Sequence, residues 1–175
     1  LTAKSNVDPL SRLFAEQRAF AADTSRQITA VCTRKAGKTF ACAARLLHAS
    51  MGGPGRHALY ITLSRINAKN LVWETLKQLN RECELNGEVH EGELSIVLPN
   101  GSRVFLSGAS DASEVEKFRG LTLAEVVIDE AQSFPLYLER LIDESLVPNL
   151  ILPPMSLVLI GTPGPVPVGY FHDAA

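Results

Sequence analysis

No run of apolar residues in the 175-residue chain approaches membrane-spanning length, and no signal peptide is visible, so no membrane role is expected. Cysteine is scarce and odd in number. Cys32, Cys42 and Cys83 fit neither a disulfide frame nor a zinc site and read as reduced thiols in a cytosol. The histidines, His48, His57, His90 and His172, show no metal-ligand spacing. Positive charge is not in excess either. With 17 basic and 19 acidic residues the net charge is −2, so no overall basic field advertises nucleic acid. Any duplex contact has to come from a local patch or from a ring of subunits. Internal repeats and low-complexity linkers are also missing. What is present is an ordinary apolar fraction of 46%, in a chain long enough for one well-buried domain with room for a small subdomain. The chain begins at Leu1 instead of Met and is expected to be a fragment of a longer protein.

The most informative stretch is Val31-Cys-Thr-Arg-Lys-Ala-Gly-Lys-Thr39. It follows a strand-like run, Gln27 to Thr33, and leads into an Ala/Leu-rich helical stretch, Phe40 to Met51. Strand, loop and helix in that order are what a phosphate-binding loop requires. Backbone N–H groups across Lys35, Ala36 and Gly37 wrap a polyphosphate, and the helix N-terminus adds its positive dipole end. Lys38 then reaches the β/γ-phosphates and the Thr39 hydroxyl ligates Mg²⁺. Cys32 departs from the common pattern, standing where the first Gly is usual.

A partner motif lies downstream in Leu123-Ala-Glu-Val-Val-Ile-Asp-Glu130. An apolar run of this kind fits a central parallel strand covered on both faces. Acids at its C-terminal tip fall where open α/β sheets bind ligands. Asp129 is placed to hold the Mg²⁺ water shell. Glu130, pointing to the other side by strand alternation, is placed to polarise the attacking water. The two motifs together imply an ATP-hydrolysing core.

Other elements follow coarsely. Leu10, Leu13, Phe14, Phe20 and Ala21 recur at helical spacing and predict one amphipathic helix before the first strand. His57 to Leu63 reads as a strand, Ala68 to Cys83 as a helix. Leu94 to Leu98 and Arg103 to Leu106 flank Asn100-Gly101 and predict a hairpin closed by a type I′ turn. A short helix is expected over Ala112 to Phe118, a longer one over Pro135 to Leu146, and a strand over Ser156 to Ile160. Pro153-Pro154 and Pro163 to Pro167 read as loops. Alternating strands and helices imply a mostly parallel central sheet flanked by helices, an α/β fold carrying a small β-hairpin insertion.

Several single residues carry two readings. Gln17 lies on the apolar stripe of its helix, where its amide either reads adenine N6 and N7 or caps a neighbouring loop. Arg34 and Lys35 either stabilise charge on the γ-phosphoryl group or are solvated at the loop's flank. Thr162, in Gly161-Thr-Pro-Gly164, either senses the γ-phosphate or belongs to an ordinary turn. Arg119 either serves a neighbouring subunit's site or is a solvated surface residue.

Taken together, Phe14-x-x-Gln17-Arg-x-Phe20, Cys32-x-Arg34-x-x-Gly-Lys-Thr39, Arg119-Gly-Leu-x5-Val-Ile-Asp-Glu-Ala131 and Leu159-Ile-Gly-Thr-Pro-Gly164 resemble the large subunit of tailed-phage DNA-packaging terminases. The resemblance runs from Phe14 to about Tyr170 and implies a P-loop NTPase of the RecA/ASCE type over residues 1–175. The implied activity is ATP hydrolysis that drives double-stranded DNA, whatever its sequence, into a procapsid. A C-terminal nuclease domain belongs to that family and lies outside this chain. The resemblance assigns Gln17 to the adenine side, Arg34, Lys38 and Thr39 to Walker A, and Asp129 and Glu130 to Walker B. It assigns Thr162 to the coupling motif and, more loosely, Arg119 to the role of a trans-acting arginine. ATP and Mg²⁺ are the implied cofactors. Implied partners are duplex DNA, a portal protein, a small terminase subunit and further copies of the chain in a ring, with a monomer in isolation as the alternative. The implied setting is the cytoplasm of an infected bacterium, transiently on the procapsid. Two other classes compete: a superfamily 2 helicase, whose box Asp129-Glu-Ala-Gln132 mimics, and an inactive phosphate-loop scaffold. Lys35-Ala36-Gly37 and Gly161-Thr162-Pro163 depart from helicase motifs, and intact Lys38, Thr39, Asp129 and Glu130 speak against a scaffold.

Overall fold

Segments rich in Val, Ile and Leu become seven strands: β1 (Gln27–Val31), β2 (His57–Thr62), β3 (Glu88–His90), β4 (Ser95–Val97), β5 (Arg103–Gly108), β6 (Leu123–Asp129) and β7 (Ser156–Gly161). The computed structural model describes residues 7–109, 122–134, 137–150, 155–162 and 169–174. The strands form one sheet in the order β1-β7-β6-β2-β5-β4-β3. The first five in that order are parallel, and β4 and β3 extend the sheet by antiparallel pairing. β6 is buried at all seven positions, as its unbroken apolar run requires inside a sheet covered on both faces.

Strand alternation divides the core in two. Tyr60, Val127 and Val158 point to the face covered by helix α2 (Lys38–Met51), together with Leu46, Leu47, Trp73, Leu76 and Leu79. Leu59, Ile61, Val126, Ile128 and Leu157 point to the opposite face and meet Leu141, Ile142 and Phe171. Each fully buried Leu or Ile contributes about 2 kcal/mol through removal from water. Small side chains at Ala41, Ala43 and Ala44 are fully or nearly fully buried and let α2 approach the sheet closely.

The expected N-terminal helix is two pieces. A 3-10 turn, Pro9–Arg12, is capped by the Asp8 carboxylate, and α1 spans Ala15–Ala21. Leu13 and Phe14 between them are extended, so Phe14 leaves the apolar stripe and stands 55% exposed. The predicted Ala68 helix starts earlier, because Ser64 Oγ accepts the Asn67 N–H. It runs as α3 (Arg65–Ala68), a π turn (Lys69–Trp73) and α4 (Glu74–Glu82).

The hairpin is present but its turn differs. Gly101 is left-handed while Asn100 is not, so no type I′ turn forms. Pro99, with its fixed φ, suits a turn closed by Gly101 N–H to Leu98 O at 2.9 Å, and a Leu98 N–H to Ser102 O bond completes a bulged loop. β3 is an addition that the sequence did not announce. The stretch expected as a helix to Leu146 is α5 (Leu138–Arg140) followed by a π turn (Leu141–Leu146), with residues 135–136 outside the description. A last short helix, α6, spans Tyr170–Asp173. The helix expected over Ala112 to Phe118, Arg119, and the loops at Pro153-Pro154 and Pro163 to Pro167 also lie outside the described residues. Among the described residues no helix is long and apolar enough to cross a membrane.

Candidate active site

β1 ends at Val31, and the Cys32 N–H still donates to Gly161 O on β7 at 3.0 Å. Cys32 therefore continues the extended ladder and needs no glycine, which accounts for the missing first Gly. The left-handed positions fall later, at Lys35 (φ 63°) and Gly37 (φ 75°). Arg34, Lys35 and Ala36 are exposed on the loop. Gly37 precedes Lys38, and no side chain caps α2, so the first amides of a 14-residue helix face outward at the loop. Thr39 is half-buried in the first turn.

Gln17, nine-tenths buried on α1, donates its amide Nε2 to Gly37 O at 3.1 Å. A Cβ on Gly37 would lie 2.3 Å from that nitrogen. Glycine is thus required twice over, for its backbone and for the brace. Of the two readings of Gln17, the loop-capping contact is the one formed here.

Lys38 Nζ donates to Thr162 Oγ1 at 2.7 Å, and the Thr162 N–H donates to Gln132 Oε1 at 3.1 Å. The last residue of β7, Gly161, has no room for a Cβ, which would meet Gln132 Oε1 at 2.2 Å. The loop lysine, the end of β7 and the turn after β6 are therefore joined in one chain of hydrogen bonds at the C-terminal edge of the sheet.

Asp129 closes β6, only 3% exposed. Its Oδ2 accepts the Tyr60 hydroxyl from β2 at 2.5 Å and its Oδ1 accepts the Glu130 N–H at 2.7 Å. Burial, then the Asp129 charge, push the Tyr60 phenol well above its ordinary range, so Tyr60 remains a donor. Burial first and Asp129 second also hold the Cys42 thiol of α2 protonated. Glu130 lies past the strand and is left-handed (φ 54°), so a turn, not strand alternation, re-aims its side chain. Such a conformation costs a non-glycine residue about 1–3 kcal/mol.

The structure thus brings Gln17, Gly37, Lys38, Thr162, Asp129 and Glu130 to one edge of the sheet, while Arg119 lies outside the described residues. Sequence reasoning missed Tyr60 and Gln132. The hydroxyl of Tyr60 inside an apolar strand was the available signal for the first, and Gln132 stood out only as the last residue of the helicase-like Asp129-Glu-Ala-Gln132 box. Among the described residues no three His, Cys, Asp or Glu side chains gather as a metal site. A hydroxyl from Thr39 and a carboxylate from Asp129 are hard oxygen donors, which fits a Mg²⁺ ion that takes its other ligands from phosphate and water.

No family model matches the chain, and no curated protein matches it. Solved structures do match. The large terminase ATPase domain of Thermus phage P74-26 aligns with a TM-score of 0.70 at 20% identity, covering 92% of this chain and 68% of that one. The HK97 bacteriophage large terminase aligns with a TM-score of 0.67 at 20% identity, over 86% of this chain and 33% of that one. A large terminase from a thermophilic bacteriophage, in complex with ATP-gamma-S, aligns with a TM-score of 0.60 at 16% identity, over 81% of this chain and 33% of that one. The chain therefore spans about two thirds of the Thermus phage domain and about a third of the two longer chains. At these identities the likeness establishes the fold: a mostly parallel α/β sheet flanked by helices, shared with large terminase ATPase domains.

Proposed function

We propose that this chain is the ATPase motor domain of a phage terminase large subunit, hydrolysing ATP to move double-stranded DNA into a procapsid. The observation that carries the reading is the hydrogen bond from Lys38 to Thr162, which joins the phosphate loop to the Gly-Thr step at the end of β7, beside the acids of β6. Its place in a fold shared with large terminase ATPase domains adds support, as does the ATP-gamma-S complex of the thermophilic phage protein.

In this reading the open amides after Gly37 receive the phosphates, and Lys38, with N–H donors beyond the one held by Thr162, neutralises their charge. Gln17 accepts from adenine through Oε1 while its nitrogen holds Gly37. Glu130 orients the attacking water and takes its proton as the γ-phosphoryl group leaves ADP. Arg34 and Lys35 bring further positive charge to the transferred group. Thr39 and Asp129 would hold Mg²⁺, which when bound would supply electrostatic stabilisation of the phosphate charge. Arg119 is assigned to the adjacent subunit's site in a ring that works with a portal protein and a small terminase subunit. Contacts to DNA go to phosphates, since a motor must accept any sequence.

The test is a pair of variants. Glu130→Gln keeps nucleotide affinity and loses steady-state hydrolysis, whereas Lys38→Ala loses nucleotide binding itself. Wild-type turnover by Glu130→Gln in an assembled ring removes the catalytic assignment. Unwinding of a forked duplex by the chain would replace the packaging motor with a helicase.

A further inference from the structure

Glu125, Val127 and Asp129 alternate onto the same face of β6, the face that α2 covers. At one end of that row Asp129 meets Tyr60, with Cys42 of α2 close enough to feel its charge. At the other end Glu125 meets Arg45 of α2, Nε to Oε1 at 2.8 Å, with both side chains more than nine-tenths buried. Arg45 lies two turns into α2 beyond Lys38, about 10 Å along the helix, and Glu125 lies about 13 Å back along β6 from Asp129. Helix and strand run in opposite directions, so the pair is a rung beneath the phosphate loop. Arg45 Nη1 also donates to Phe20 O at 2.9 Å, and the guanidinium lies 5.8 Å from the Phe20 ring centroid, at the end of the helix that carries Gln17.

We propose that Arg45 and Glu125 are positioning residues for the nucleotide site, a buried pair that ties α1, α2 and β6 together and so sets where Gln17, Lys38 and Asp129 stand relative to one another. The proposal rests on the ATPase reading above. Its physical ground is that ordinary apolar packing leaves a helix free to settle by fractions of an ångström, whereas a directional charge pair fixes one register. Misplacement of about 1 Å in a catalytic arrangement costs up to about a hundredfold in rate.

The pair is also open to protons. It lines a cavity of about 130 Å³ shared with Asp23, His48, Arg56 and Ser156. Burial pushes Glu125 up to about 7, although Arg45, and more weakly Arg56, pull the other way. The groups facing Glu125 are Arg45, His48 and Cys42 from α2, Arg56 from the connection to β2, and Asp23 from the segment after α1. Loss of a proton from Glu125 restores a full carboxylate to grip the guanidinium, so hydrolysis rises with pH through about 7.

The test uses nucleotide titration, thermal melting and single-turnover hydrolysis on the whole chain, as a function of pH. Glu125→Gln copies the protonated acid. It is expected to bind ATP within about threefold of wild type, to hydrolyse it about tenfold more slowly above neutrality, and to lose the acid limb of the profile. His48→Gln keeps that limb. The double variant Arg45→Met with Glu125→Leu removes both charges together, melts at or above the wild-type temperature, and stays as slow as Glu125→Gln. Wild-type rates and pH dependence in Glu125→Gln, or in the double variant, overturn the proposal and leave the ATPase reading intact. A wild-type chain that binds no ATP overturns both.

Discussion

Replacing Tyr60 with Phe removes one oxygen from a fully buried ring and leaves its packing volume nearly unchanged. The lost contact is the hydroxyl donated to Asp129 Oδ2. Asp129 keeps one donor, the Glu130 N–H, and is only 3% exposed, so water does not readily replace the phenol. A hydrogen bond to a charged group contributes about 1.5–3 kcal/mol. For a domain of this size each kcal/mol shifts Tm by about 2–4 °C, which places the expected fall at roughly 3–12 °C. The functional effect is separable from the structural one. On the proposed function, metal-free nucleotide affinity, assigned to the loop amides and Lys38, is expected to stay within about threefold of wild type, while the gain in affinity on adding Mg²⁺, assigned to Asp129, shrinks because that acid is no longer fixed. Calorimetric melting and nucleotide titration with and without Mg²⁺ read the two effects. A Tyr60→Phe chain that melts with wild type and responds fully to Mg²⁺ refutes the argument that the phenol holds the acid.

Other outcomes follow from single contacts. Gly37→Ala places a methyl group 2.3 Å from the Gln17 amide at φ 75°, so it is expected to cost about 1–2 kcal/mol or more and to weaken ATP binding in an equilibrium titration. For Glu125 the folded value is about 7 against an ordinary 4.5. Between those values the folded chain holds more protons than the unfolded one, so stability falls as pH rises across this window and levels off above it. Urea unfolding from about pH 5 to about pH 8 measures that slope, which Glu125→Gln removes. With a net charge of −2, the chain alone is expected to bind duplex DNA weakly, in a salt-sensitive and sequence-independent way. Tight binding to one sequence in a filter or anisotropy assay contradicts the packaging reading.

Every described strand but β3, and the loop after β1, were legible because their signals are local. β6 is an unbroken apolar run ending in acids, and Gly37-Lys38 sits between a strand and an Ala-rich helix. The break at Leu13 and Phe14 was not legible, since an i, i+3 pattern survives when a 3-10 turn precedes a short helix. Nor was the turn at Gly101, where Asn-Gly suggested one geometry and the preceding Pro99 imposed another. The brace from Gln17 to Gly37 spans 20 residues and the bond from Tyr60 to Asp129 spans 69. Contacts of that range depend on which strands become neighbours, and the sheet order is not written in any window of sequence. The Arg45–Glu125 pair was hidden for the same reason: Arg45, read alone, passes for a surface charge, and the run around Glu125 does not name its partner 80 residues away.

The bond between Lys38 and Thr162 bears on how tightly a ligand is held, apart from any contact the ligand makes. A lysine side chain free in solvent samples many rotamers, and fixing it costs about 2 kcal/mol of entropy. Here the ammonium is already held by a hydroxyl at 2.7 Å, so that entropy is lost when the chain folds and not when a phosphate arrives. On the proposed function, an arriving phosphate would meet a charge that is aimed in advance and has N–H donors to spare. In the same reading, affinity at the mouth of α2 is thereby set in part by a threonine 124 positions away, just past the end of β7.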